Sequence, residues 1–340
     1  MKTSTPIADA VTVLPIGEAT AEGPVVALDV GGSAMKGAVI DEHGQVAAFH
    51  RWPTPRSEGP DAVVGAVLGA VDELLEFSKD AVAVGLVVPG LVDDLAGIAL
   101  YSENIGWRDV PFRELVAEKT GLPVGFGHDV RAGGLAERTL GAARGTDDVL
   151  FLPIGTGISG AMYVAGELIE NKYAGEIGHI DVGSGEPCAC GAHGCLETVA
   201  SGASIAKRYN RATGGSAPGA HEVLKLMAAG EDAAATVWQE AIDALARALA
   251  TYTSLLAPEL IVIGGGLSGA GEALLEPLRR RLGELLVWQQ KPRIVAAVLG
   301  ENAACLGAGL LARQAIVLTP PPRTHSGHAA DLDSRHNGAS

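Results

Sequence analysis

The sequence predicts an α/β protein of two layered domains, and three observations lead there. Its 340 residues suffice for two domains of ordinary size. Apolar runs of strand length alternate with longer segments of helical period over much of the chain. The first three apolar runs are separated by only a few residues, too few for a helical crossover. Those strands are therefore antiparallel neighbours, and a purely doubly wound sheet is disfavoured. Apolar residues make up 47% of the chain and aromatics only 4%, with 46 glycines, so the cores are packed on small side chains.

Residues 1–23 mix Thr, Pro, Gly and Ala without a clear period and read as a flexible arm. VVALDV (25–30) is a buried strand carrying Asp29 near its end. GAVI (37–40), the turn at 41–44 and QVAAFH (45–50) form a hairpin. Pro60 opens a helix over 61–77. AVAVGLVV (81–88) is a buried strand stopped by Pro89-Gly90. A short helix runs from Pro111 to Thr120 and is closed by Gly121. PVGFG (123–127) is a strand delivering Asp129 to a helix over 130–142. These elements make a first domain, 24–143.

GAARGTDD (141–148) reads as the crossing into a second domain, 144–300. There VLFLPI (149–154) is a strand running into Gly155-Thr156-Gly157. Helices are predicted over 198–209, 220–229 and 231–256. LIVIGG (260–265) is a strand running into Gly264-Gly265-Gly266, followed by a helix over 271–285 and a strand at 293–298. A last helix occupies 301–315. The tail, 319–340, rich in Pro, His, Asp, Ser and Gly, reads as disordered.

The formal charge of −15, from 40 acidic against 25 basic residues, repels phosphate backbones, so nucleic acid is not expected as a partner. No apolar stretch has the length of a membrane span, and residues 1–23 lack the basic start and apolar centre of a signal peptide. A cytoplasmic protein without a membrane partner is the expectation.

Residues 174–197, AGEIGHIDVGSGEPCACGAHGCLE, bring His179 close to Cys188, Cys190 and Cys195. Three thiolates and an imidazole at these spacings can close around one Zn²⁺, and four protein ligands leave no position open for water, so the metal is structural. A disulfide is the competing reading; three local cysteines would leave one unpaired.

Three glycine-rich turns each follow an apolar strand: Asp29-Val30-Gly31-Gly32-Ser33 with Lys36, Gly155-Thr156-Gly157, and Gly264-Gly265-Gly266. Phosphate oxygens need inward-pointing backbone N–H groups with no Cβ in the way, which glycine provides. Asp29 ends a buried strand where its charge must be paired or solvated, which suits the Mg²⁺ and phosphate side of a site. Lys36 is either a phosphate partner or a surface lysine. Asp129 is either a base or the cap of the helix that follows it.

Together these residues resemble the ROK family of bacterial repressors, open-reading-frame proteins and sugar kinases. The match covers 24–315; its most specific part is the histidine followed by CxCGxxGCxE, His179 to Glu197 here. The family's DxGGTxxK pattern is met by Asp29, Gly31, Gly32 and Lys36, with Ser33 in place of threonine. Its sugar-side asparagine corresponds to Asn104, and its catalytic Asn-Asp pair to His128-Asp129, so the aspartate is kept and the asparagine is not.

The resemblance implies an actin-like (ribonuclease-H-like) ATPase fold with sugar in the cleft between two domains. ATP would be held mainly by the second domain, and 301–316 would pack back on the first. It implies ATP, Mg²⁺ and a hexose as ligands, and a homodimer or homotetramer. Asp129 would be the base, with Asn104, His128, Glu176, His179 and Glu197 on the sugar; solvated surface carboxylates are the alternative for Glu176 and Glu197. The expected reaction is phosphoryl transfer, at O6, to N-acetylglucosamine or glucose. Glycines at 125, 127, 133 and 134 suggest room for a bulky 2-substituent, favouring the acetylated sugar. The alternatives are a kinase for N-acetylmannosamine or fructose, or a non-catalytic sugar sensor. Family repressors carry a DNA-binding domain ahead of the first phosphate turn, and the 28 residues before Asp29 are too few for one.

Overall fold

The computed structural model describes residues 23–318. The expected tail and all but the last residue of the expected arm lie outside the described residues. The first sheet opens with an antiparallel meander, β1 (Val25–Val30), β2 (Ala34–Ile40) and β3 (Val46–Pro53). After α1 (Pro60–Phe77), β4 (Ala83–Val88) pairs parallel to β1. A small antiparallel sheet follows, of β5 (Leu91–Asp93), β6 (Ile98–Tyr101) and β7 (Arg108–Val110). Then α2 (Phe112–Thr120) leads to β8 (Val124–His128), parallel to β4, and to α3 (Asp129–Thr139). The first sheet runs β3-β2-β1-β4-β8.

The second sheet repeats that plan. It begins with β9 (Val149–Pro153), β10 (Ala161–Val164) and β11 (Glu167–Leu168). Four helices follow: α4 (Glu197–Ala200), α5 (Gly202–Thr213), α6 (Ala220–Ala228) and α7 (Asp232–Leu256). Next come β12 (Leu260–Gly264), α8 (Glu272–Leu285), β13 (Arg293–Ala296) and α9 (Ala303–Leu318). The order is β11-β10-β9-β12-β13, an antiparallel meander joined to parallel strands, as in the first sheet. Two such sheets are the actin-like arrangement.

Strands β1, β4 and β8 are buried on both faces, which is why they read as continuous apolar runs. Val26, Leu28 and Val30 face the core under α1, with Val63, Val67 and Leu74. Val25 and Ala27 face the opposite core, with Ala308 and Leu310 of α9. That helix lies against β1, β4, β8 and α3. A Cβ on Gly85 or Gly125 would collide with the carbonyls of Ala308 or Leu311, and one on Gly307 with that of Ala132. Glycine is therefore what lets α9 approach to backbone contact.

Gly133 and Gly134 pack on Phe151 and Ala161, and Gly127 on Leu311 and Asp94. The four glycines from which room for a 2-acetamido group was expected are thus packing positions, and they carry no preference for an acetylated sugar.

Other departures have local causes. The single helix predicted over 198–209 breaks at Ser201, whose hydroxyl accepts from Ser204 N at 3.2 Å and starts α5 afresh. The helix predicted to 142 stops at Thr139, where the amides of Gly141 and Ala143 turn back to the Glu137 carbonyl. Strands β5 to β7 were not predicted.

The Glu137 side chain, fully buried, accepts from Ala142 N and from Leu299 N, each at 2.8 Å. One carboxylate thus ties both stretches of chain that run between the sheets, 140–148 and 297–302. Glu137→Ala leaves two half-buried amides without partners, and a loss of about 1–3 kcal/mol is expected in denaturant unfolding, with a smaller loss for Glu137→Gln.

Candidate active site and metal centre

The three glycine turns sit at the carboxyl ends of their strands. The first is held by Thr54, whose hydroxyl donates to Gly31 O at 2.6 Å and whose amide donates to Ser33 O at 3.2 Å. Asn104, in the turn between β6 and β7, lies against Gly32. The other two turns are laced together: Ile154 N donates to Gly264 O, and Leu267 N to Ile154 O, both at 3.0 Å. Glu197, at the start of α4, accepts from Ile158 N at 2.9 Å through Oε2. A Cβ on Gly157 would press on that oxygen, so the position suits glycine.

Beside these turns lies a cavity of about 450 Å³. Gly155, Thr156 and Gly266 form part of its wall, and Pro218, His221 and Leu224 another part. The second group lies in and after the Gly/Pro-rich connection between α5 and α6. A larger cavity, about 590 Å³, borders His128 and Arg131. It includes neither Asp129 nor any glycine turn, so the smaller one is the candidate for nucleotide.

Asp29 and Asp129 end β1 and follow β8, on the two sides of β4. Asp29 is 8% exposed; burial pushes its carboxyl up to about 6, with the opposing charge of Lys36 pulling it down. Burial, aided by the charge of Asp29, pushes Asp129 up to about 7, against the Val130 amide and the Arg131 guanidinium. The two carboxyls therefore sense each other across the strand ends.

His128, the residue before Asp129, is buried, and burial, then Arg131, pushes it down to about 3, so the ring is neutral. Val130 N donates to His128 Nδ1 at 3.2 Å and to Asp129 Oδ1 at 2.7 Å. With Nδ1 accepting, the ring proton is assigned to Nε2, which stands 3.4 Å from Asp129 Oδ1. His128 is the N-cap of α3. Asp129 is the first helical residue, and among the described residues no group is hydrogen-bonded to its Oδ2.

Lys36 is directly opposite Asp29 in the β1–β2 ladder. Its Nζ donates to the Glu301 carbonyl at 2.7 Å and pairs with the Glu301 carboxylate at 3.2 Å. In this structure Lys36 serves the turn before α9.

His179 turns Nδ1 toward Cys188 Sγ at 3.7 Å and Nε2 toward Glu176 Oε2 at 3.9 Å. Cys190 Sγ and Cys195 Sγ are 3.7 Å apart, and all four donor atoms lie within 4.8 Å of one another. No disulfide joins these cysteines. Tetrahedral Zn²⁺ holds such donors roughly 3.5–3.8 Å apart, so the metal fits this cage. Burial raises the carboxyl of Glu176, with His179 opposing.

Arg131 carried no signal in the sequence. It is 8% exposed, and its Nε donates to Asp94 Oδ2 at 2.8 Å.

The sequence pattern of the ROK family matches residues 25–315. The chain belongs to the ROK family. Glucokinase from Streptomyces coelicolor is 33% identical over 315 residues, covering 86% of this chain and 98% of its own. N-acetylmannosamine kinase from Citrobacter koseri is 31% identical over 295 residues, covering 85% of this chain and 98% of its own. The crystal structure of a ROK family glucokinase from Streptomyces griseus in complex with glucose and AMPPNP is similar at 31% identity. Its TM-score is 0.75, with 86% of this chain and 100% of that chain covered. Among the described residues of this ROK protein, no helix is long and apolar enough to cross a membrane.

Cys195→Ser is expected to abolish binding of one zinc per chain, read by plasma emission spectroscopy. It should also lower the melting temperature, since a four-ligand metal is folding energy. Full zinc content in the variant would contradict the four-ligand cage.

Proposed function

We propose that this ROK protein is an ATP-dependent hexose kinase that transfers the γ-phosphoryl group to O6 of glucose or N-acetylglucosamine. The observation that carries this reading is Asp129: a half-buried carboxylate at a strand end, raised toward neutrality, with one oxygen anchored by the Val130 amide and the other left to a ligand. Similarity to kinases of glucose and of an amino sugar supports the class of acceptor.

A sugar hydroxyl is a weak nucleophile at neutral pH. A carboxylate with a pKa near the working pH is strong enough to take its proton and still ionised enough to do so. Oδ1 of Asp129 is held by the Val130 amide, which leaves Oδ2 to align the hydroxyl and accept the proton as the phosphoryl group transfers.

Asn104, Glu176, His179 and Glu197 bind the remaining hydroxyls. His179 does so through Nε2, its other nitrogen being turned to the zinc cage. Glu197 does so with Oε1, because Oε2 holds the loop at Ile158. His128 stays neutral and supports Asp129.

The turns at Gly155–Gly157 and Gly264–Gly266, with Thr156, line the phosphates, and Gly31, Gly32 and Ser33 approach them from the first sheet. The 450 Å³ cavity takes the nucleoside. When bound with ATP, Mg²⁺ supplies charge neutralisation at the phosphates, and Asp29 is the residue that would hold it, directly or through water. Lys36, on the same strand face as Asp29, adds positive charge on that side.

The test is ADP release from Mg-ATP with a panel of hexoses and their amino and N-acetyl forms. Sugar-dependent release is expected, with the rate ratios naming the substrate. A panel on which no sugar raises the sugar-free rate would contradict the reading. Asp129→Ala should lower kcat by about 10²–10⁴-fold while hexose binding persists. Because the base must be ionised, kcat/KM should rise with pH and level off above about 7. A profile already flat from pH 5 would overturn the assignment.

A further inference from the structure

Arg131 occupies a costly place. It lies in the first turn of α3, where the helix dipole already presents positive charge, and its side chain is 9% exposed. A buried cation at a helix N-terminus persists only when paired. Its partner is Asp94, in the turn after β5. Nε donates to Oδ2 at 2.8 Å, and Nη2 donates to Oδ1 at 3.1 Å and to the Val92 carbonyl at 3.2 Å. This two-pronged grip fixes the plane of the guanidinium.

The gripping turn is itself pinned from α2. Arg113 donates to the Leu95 carbonyl at 2.8 Å and also to that of Asp94. The adjacent Asp93 pairs with Lys172 at 3.4 Å, in the stretch that leads to Glu176. One short turn thus joins the helix of Asp129 to the segment carrying a sugar-side carboxylate.

We propose that Arg131, held by Asp94, is a positioning residue for Asp129: it fixes the first turn of α3 and sets a permanent positive charge beside the base. This rests on the reading of Asp129 as the base. The charged and titratable groups around Asp129 are Asp29 from β1, His128 from the end of β8, and Arg131 from its own helix. Lys36 of β2 acts on Asp29, and Glu176 stands on the second-sheet side. Of these, Asp29 raises Asp129 and Arg131 lowers it. The field of Arg131 also reaches His128 and Glu176. After the Val130 amide, Arg131 is the group that lowers Asp129 against burial and a neighbouring carboxyl.

The experiment compares wild type with Arg131→Met, Arg131→Lys and Asp94→Asn by steady-state kinetics across pH. The carboxyl ¹³C resonance of Asp129, assigned by its loss in Asp129→Asn, is followed as well. Arg131→Met should lower kcat about 10- to 100-fold with the KM for ATP unchanged, and move the acidic limb of the profile to higher pH. The Asp129 resonance should titrate at higher pH in that variant. Lysine should restore the limb and the titration midpoint but not kcat, because it lacks the planar fork. Asp94→Asn, which keeps the shape but replaces one of the two accepting oxygens with an NH2 that cannot accept from the guanidinium, should lower kcat and stands in should Arg131→Met fail to fold. Wild-type kcat with an unmoved midpoint in Arg131→Met, or in Asp94→Asn if the first is unfolded, would overturn the proposal. A wild type that turns over no sugar would refute the kinase reading instead, while the resonance still decides the role of Arg131.

Discussion

Two carboxyls meet at neighbouring strand ends on either side of β4: Asp29, which is buried, and Asp129, whose side chain is 26% exposed. Charge in such a place is expensive, and like charges make it more so. Much of the surrounding structure answers this. Lys36 stands opposite Asp29 in the ladder, the Val130 amide holds one oxygen of Asp129, and Arg131 stands two residues on. His128 is kept neutral, so it adds no charge of its own. The two carboxyls have different partners, Lys36 for Asp29 and the Val130 amide for Asp129, and on the proposed function the first belongs to the phosphate side and the second is the base.

The fold supplies the rigidity this needs. The parallel strands β1 and β8, flanking β4, carry Asp29, His128 and Asp129 to one end of one sheet, and α9 braces that sheet from behind at backbone distance at Gly85 and Gly125, and braces α3 through Gly307. The stretches of chain between the two sheets are bonded to one buried carboxylate, Glu137, and the second of them is also bonded to Lys36 through Glu301. Residues that bind nothing in the reaction therefore govern how the glycine turns of the second sheet meet the carboxyls of the first. Beside the second sheet, His179 stands between Cys188 and Glu176, and Glu197 holds the backbone just after the Gly155–Gly157 turn. On the proposed function, metal, loop and sugar-side roles share single side chains there.

Much of this was legible in the sequence where the signal is local. Strands such as VVALDV and LIVIGG are buried on both faces and read as apolar runs, and the cysteine spacing alone draws the metal cage. The small sheet of β5 to β7 was not legible, because strands of three or four residues broken by Asp-Asp and Ala-Gly leave too short an alternation. Arg131 and Glu137 look like ordinary polar positions on a helix; their meaning comes from Asp94, 37 residues earlier, and Leu299, 162 residues later. Lys36 was open between phosphate and surface for the same reason, since Glu301 is 265 residues away. The glycines at 125, 127, 133 and 134 misled in the other direction: small residues can mean space for a ligand or close approach of a neighbour, and only packing decides.

The central claim is that one oxygen of Asp129 takes the proton of the attacking hydroxyl. A crystal structure of the chain with a hexose and a non-hydrolysable ATP analogue tests it most directly. The account requires Oδ2 of Asp129 within roughly 2.6–3.2 Å of a sugar hydroxyl that points in line at the terminal phosphate. A closed complex in which that hydroxyl is bonded to another group, with Asp129 turned away from it, would contradict the account.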